Sequence, residues 1–434
     1  MTTELAKQTI YDADFKNSLY ASAQPIWLKS IRKQAFKLFT ANGFPTPRNE
    51  EWKYTNVAPI AKEDLSLAPG VADASAVDAL KYPEAGENTF VFIDGRLSAE
   101  MSGSGEGFTA ITLNEAYKNE ATVKAVEEHF GKAVVFDKNG FTALNTALLE
   151  EGLFLQVPKD TKIEKPIHLL FISTDGKANF PRVLLFAEQG SNATVIESYV
   201  SIGGGKSFSN AVTEVFLEDN AHLTHYRVQK ENAESFHIGT SAAVLGRASM
   251  YDATSINLGA ALSRHDTGVK FTAEGAECFV DGLYMLNGGQ HADTHSIIDH
   301  AMPQCTSHQN YKGVLSDRAH AVFNGIVIVR ENARGTDAQQ SNKNLLLSND
   351  ARVDTKPQLE IFNDDVKCAH GATVGQLEDE EVFYLLSRGL HPELARNLLT
   401  YGFAEEIINK IGIDSIKAEL DEAVLNRLAA NLEV

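Results

Sequence analysis

The sequence predicts a mainly β fold, a parallel β-helix (solenoid) flanked by α-helical regions at both ends. Two observations carry that prediction. The middle of the chain repeats a strand–turn–strand unit at a near-constant interval, and helical periodicity is confined to the first and last stretches. Three regions follow: 1–88, an N-terminal helical region with a connector; 89–375, the solenoid core; and 376–434, a C-terminal helical cap or docking region.

Residues 14–60 read as helical. Pro25 suits the first turn of a helix. Leu28, Ile31, Ala35, Leu38 and Phe39 then recur at helical spacing, and Gly43 falls just past the end. The segment PTPRNEEWKYTNV (45–57) is rich in proline, charge and aromatics. Residues 62–88, rich in Ala, Asp and Pro, read as a loose connector.

The repeat appears when LLFAEQGSNATV, EVFLEDNAHLTH, AVLGRASMYD, VKFTAEGAECFV, GVLSDRAHAVF and LLLSNDARVDT are aligned. Each has an apolar strand, a polar or glycine turn, an alanine and a further strand. The alanines are Ala193, Ala221, Ala248, Ala276, Ala319 and Ala351, with gaps of 28, 27, 28, 43 and 32. The reading is a set of regular coils, closely stacked at small alanines, with insertions in the later ones. A β-sandwich also alternates strands and turns, but a fixed interval favours the solenoid.

Beyond GATVGQLEDEE the period is helical again. Pro392 marks a helix start and Gly402 lies near an end. Asp414 caps a last helix whose Ile416, Leu420, Val424, Leu428 and Leu432 fall at i,i+4 spacing, so one apolar face packs on something.

The formal net charge is −19, which disfavours nucleic acid and anionic membranes as partners and favours a basic protein. No apolar run approaches the ~18 residues that cross a bilayer; VFNGIVIV (322–329) is short and interrupted by Asn324 and Gly325. The start of the chain lacks the apolar stretch of a secretory signal, and three cysteines are too few for a disulfide framework. A reducing cytoplasm is the expected location.

Several stretches invite a chemical reading. VSIGGGKSF (200–208) supplies Gly205, Lys206 and Ser207 of a phosphate loop, but Val200 stands where its first glycine belongs. GSGEGF (103–108) fails the dinucleotide pattern at Phe108. No nucleotide site is expected. QHADTHSIIDHAMPQCTSHQN (290–310) gathers His291, His295, His300, His308, Asp293, Asp299 and Cys305, at spacings that match no zinc motif. Hydrogen-bonded histidines on a polar solenoid face are the plainer reading. The nucleophile pattern G-x-S-x-G is absent, and the nearest paired carboxylates, Asp364 and Asp365, make a poor glycosidase.

FNDDVKCAHGATVG (362–375) is different. In a strand, Cys368 and His370 at i,i+2 face the same way. Their backbones are ~6–7 Å apart, which suits two ligands on one metal better than a nucleophile and its base. Core packing of the thiol is the other reading.

NEEWKYTN (49–56), GTDAQQSNKNLLLSNDARVDTKPQLEIFNDDVKCAHGATVG (335–375) and VFYLLSRGL (382–390) resemble the SufB/SufD family of bacterial iron–sulfur cluster assembly. The likeness spans most of the chain. It implies a right-handed parallel β-helix between helical regions, pairing with SufB through the β-helix, and docking of the SufC ATPase on the C-terminal helices. Phe383, Tyr384, Arg388, Gly389 and Leu390 are the candidate SufC contacts. ATP hydrolysis would then belong to SufC, and this chain would be a non-enzymatic scaffold. Ile361 stands where SufB members usually carry a cluster-building cysteine, and HGAT (370–373) where they usually read HEAT. These departures favour the SufD branch, in which the histidine of HGAT, here His370, works with SufB on the nascent cluster. Cys368 matches a cysteine common in that branch. The resemblance also implies no cofactor held stably by this chain, a transient cluster on the complex, and reduced flavin held mainly through SufB. Without SufB, a homodimer through the same edge is expected, because an open strand edge recruits another chain.

Overall fold

A computed structural model describes residues 11–21, 24–149 and 151–429, apart from the side chains of 20, 21 and 426–429. From Arg182–Ala187 to Val366–Gly375, successive strands alternate between two sheets. Each strand pairs in parallel with its counterpart one coil later, as His222–Lys230 does with Met250–Asn257, and Phe236–Leu245 with Leu262–Phe271. The result is a flattened parallel β-solenoid of about eight turns. Rungs of one sheet begin at His222, Met250, Glu277 and Thr306, so the coils are 28, 27 and 29 residues long.

The coil length is the one the repeat gave, but the alanines do not form one column. Ala221 and Ala276 immediately precede strands of one sheet, whereas Ala319 and Ala351 immediately precede strands of the other. The gap of 43 is therefore a jump from one corner of the coil to the opposite one, not an insertion. Both corners are tight and buried, so both select small residues. Ala248 is itself exposed at a left-handed turn (φ 51°), and Ser249 fills the corner there.

The first end of the solenoid is covered. Thr109–Thr112 pairs antiparallel with Leu153–Val157, and Arg96–Leu97 with Thr89–Ile93, closing one edge of each sheet. The helix Ile26–Asn42 follows Pro25, which sits just outside rather than within its first turn, and stops at Gly43 (φ 69°). It buries Leu28, Ala35 and Phe39, and packs against Gly140–Ala147, a helix that the sequence reading did not anticipate. The buried Arg32 ties them together by donating from Nε to the Ala147 carbonyl (2.9 Å).

Residues 62–88 are not a loose connector. Asp73 caps the helix Ala74–Asp78, and Val77, Tyr82 and Ala85 are buried. Glu84 accepts from the Ser415 N–H (2.9 Å), which ties this segment to the last helix.

The C-terminal helices Pro392–Ile408 and Asp414–Ala429 lie on the outer face of one sheet. Ile407, Ile408, Ile416, Leu420 and Val424 pack there with Tyr226, Val228, Ile256, Leu283 and Val314. Pro392 opens its helix as read, but Gly402 lies well inside it rather than near an end. The stripe of the last helix is observed through Val424; the Leu428 side chain and Leu432 lie outside the described residues. Among the described residues, no helix is long and apolar enough to cross a membrane.

Inside the later coils, large and absent side chains alternate. A Cβ on Gly313 would come within 2.1 Å of the Tyr284 ring, and one on Gly282 within 2.1 Å of the Tyr311 ring. Neither ring can retreat from a packed interior. Gly313→Ala is expected to lower unfolding stability by about 1–3 kcal/mol, read from the denaturant midpoint, with the secondary structure unchanged.

Candidate functional site

The last coil consists of Arg352–Ile361 and Val366–Gly375. Cys368 is in register with Ala338, and His370 with Gln340. Ala338 and Gln340 are buried in the solenoid interior, so Cys368 and His370 continue two inward-facing columns. On the opposite strand, Ile361 continues the column of the buried Val329. Among the described residues, no further coil stacks beyond them. The inner face of this rung is consequently open: His370 is exposed, Ile361 is 41% exposed, and Cys368 is half-buried against the core.

The thiol and imidazole thus share a face, as their spacing predicted. Burial, with Asp337 nearby, pushes the Cys368 thiol above its usual range, which disfavours a free thiolate nucleophile. Among the described residues, no third His, Cys, Asp or Glu joins them in a group able to hold a metal. Cys278 and Cys305 are fully buried, Cys278 in the same inner column as Cys368 three rungs further in. What the chain offers at this end is one thiol and one imidazole on an open face.

Polar side chains back that face. Gln340 donates to Gln309 (2.7 Å), and Gln309 donates to Ser296 (2.7 Å). Asn342 donates to the Tyr284 hydroxyl (3.1 Å) and accepts from Thr355 (2.8 Å) of the last coil. A paired network of this kind fixes the rotamers behind the pair.

The histidine run holds no metal cluster among the described residues. It belongs instead to a junction that sequence reasoning missed. The NEEWKYTN segment crosses the outer face of the second sheet. Thr55 donates to Asp293 (2.6 Å) and accepts from His291 (2.8 Å). Arg264 stacks 3.8 Å over the Trp52 ring and pairs with Asp293 (2.9 Å). His295 lies between Asp293 (3.0 Å) and Glu51 (3.4 Å). Burial opposes the charge on His295, but Asp293 and then Glu51 outweigh it and raise its pKa to about 9. Burial likewise opposes ionisation of Asp293, yet Arg264 and His295 hold it well below the usual carboxylate range. His300 is separate, bonded to Ser307 (2.7 Å), and His308 is on the other sheet, facing Asp337 at 4.0 Å.

The glycine-rich turn is not a phosphate cradle. A strand, Ser207–Leu217, follows it rather than a helix. The Gly205 N–H is taken by Asp175 (2.8 Å), and Lys206 pairs with Glu63 (2.6 Å). After the solenoid, Phe383 and Tyr384 are 70% and 56% exposed on the helix Asp379–Ser387. Arg388 lies 5.1 Å over the Tyr384 ring, Gly389 ends the helix at φ 90°, and Leu390 is half-buried.

Two family descriptions match this chain. Residues 170–403 match the SufBD core domain of SUF-system iron–sulfur cluster assembly, and residues 6–169 match the SufBD N-terminal region. The chain belongs to the SufBD family. An iron–sulfur cluster assembly SufBD family protein of Synechocystis sp. is 35% identical, with 97% of each chain covered. The iron–sulfur cluster assembly proteins SufD of Escherichia coli and Bacillus subtilis are each 31% identical; 91% and 92% of this chain are covered, and 92% and 93% of theirs. This SufBD chain is thus a component of iron–sulfur cluster assembly. Its SufBD core region contains Cys368, His370 and the residues 383–390, and the Thr55–Asp293 contact joins its two matched regions.

The junction has a pH signature. Because the folded pKa of His295 lies above the ordinary 6.5, the stability it adds is complete below pH 6.5 and is lost as pH rises through about 9. The difference in unfolding stability between the native chain and His295→Gln is expected to be at most on the order of 3 kcal/mol near pH 6, and to shrink towards pH 10.

Proposed function

We propose that this chain is the SufD-type member of a SUF complex: a non-catalytic scaffold that pairs with SufB through the β-solenoid and docks the SufC ATPase through its C-terminal helices. The observation that carries this reading is the open last coil, where Cys368 and His370 share an inward-facing surface with no third ligand among the described residues. One imidazole and one thiol from this side, with a soft thiolate from the facing chain, suit iron at a seam. Iron and sulfide are cargo there, not a resident cofactor. Ile361 supports the SufD assignment, since it leaves the strongest thiol to the partner. The exposed Phe383 and Tyr384 support a docking role for the helix that follows the solenoid.

The test is co-purification with SufB and SufC, followed by iron and sulfide analysis. His370→Ala is expected to leave the complex intact and to lower its cluster content at least tenfold. Undiminished clusters on an intact complex would leave this chain a pure interaction module. For the chain alone, light scattering is expected to give a two-fold homodimer through the same open coil; a monomer at micromolar concentration would contradict that.

A further inference from the structure

A second concavity has no lining residue from the open coil. A groove of about 600 Å³ runs over the outer face of the second sheet, between two N-terminal walls. Small-molecule sites span ~300–1,000 Å³. Its floor is a register row of Ala242, Gly268, Ile297 and Ile326, all outward-facing, with Ile297 46% exposed. One wall is Glu51 and Trp52, fixed by the Arg264–Asp293 junction. The other is the loop from Lys132 to Val135. That loop is pinned by buried Glu214, which accepts from the N–H groups of Gly131 (3.0 Å), Ala133 (3.1 Å) and Val134 (3.1 Å) and pairs with buried Arg182 (2.5 Å). Both walls are held by contacts within the protein, so the groove is preformed.

Its charge runs against that of the chain. Each lining carboxylate is already paired: Glu51 with His295, Asp266 with Arg264 (2.8 Å) and Asp299 with Arg330 (2.9 Å). Lys132, Lys138 and Lys270 have no ion pair among the described residues. Free cations around a neutral apolar floor, on a chain of net charge −19, make a local anion trap.

We propose that this groove binds a small organic anion with a flat apolar body, the body lying along Ala242, Gly268 and Ile297 and the anionic end meeting Lys132 and Lys270. A phosphate or a carboxylate end would satisfy the same lysines.

The probe is 8-anilino-1-naphthalenesulfonate, titrated by fluorescence into the full-length chain, with uncharged N-phenyl-1-naphthylamine as control. A Cβ on Gly268 meets the Ala242 Cβ at 3.5 Å, an ordinary contact, so Gly268→Leu fills the floor without displacing the strand. It is expected to weaken both probes at least tenfold. Lys132→Glu with Lys270→Glu, which breaks no ion pair, is expected to weaken the anionic probe at least tenfold and the uncharged one less than twofold. Displacement of the anionic probe by phenyl phosphate or by benzoate then tells the two anionic ends apart. Unchanged titrations with Gly268→Leu, or equal losses of both probes on charge reversal, would overturn the proposal.

Discussion

A parallel solenoid has two ends, and every end rung lacks a neighbour to receive its backbone groups and cover its inner side chains. This chain treats the two ends differently. The first is closed by antiparallel strands. The last, Val366–Gly375, leaves its inner face open. Cys368 and His370 are accessible for that reason alone; the same columns one rung earlier are filled by buried Ala338 and Gln340. The site is a consequence of where stacking stops.

The rest of the molecule holds that end rigid. Gln309, Gln340, Asn342 and Thr355 bond to one another or to neighbours across successive rungs, which specifies rotamers behind the open face. The N-terminal region is bound to buried charge on the solenoid, Thr55 to Asp293, which pairs with Arg264, and the amides of Gly131, Ala133 and Val134 to Glu214, which pairs with Arg182. Pairs of this kind add little net stability over apolar packing, but breaking one strands a buried charge. They fix one placement of the N-terminal walls, and the cationic groove exists because that placement is fixed.

Local signals were legible in the sequence, and distant ones were not. The stripe of Ile416, Leu420 and Val424 and the shared face of Cys368 and His370 follow from periods of 3.6 and 2, which need no knowledge of the rest of the chain. The coil length was legible because each coil repeats the same corner. The sequence could not say which corner each alanine filled, since both corners of a two-sheet coil demand a small side chain; the apparent insertion between Ala276 and Ala319 came from that ambiguity. The junction of Thr55 with Asp293 was illegible because it spans 238 residues, and neither side chain has a local reason for its place. The histidine run read as hydrogen-bonded histidines on a polar solenoid face, but the sequence could not name their partners Glu51 and Thr55, which lie far away along the chain. Residues 62–88 read as loose because their composition is loose; burial of Val77 and Tyr82 is imposed by tertiary packing.

We propose that this chain presents half of an iron site at an open solenoid end. X-ray absorption at the iron edge tests it most directly, on the complex with SufB and SufC loaded with iron. The imidazole scattering shell is expected to weaken by one ligand when His370 is replaced by Ala, with the complex intact. An unchanged iron shell in that variant would contradict it.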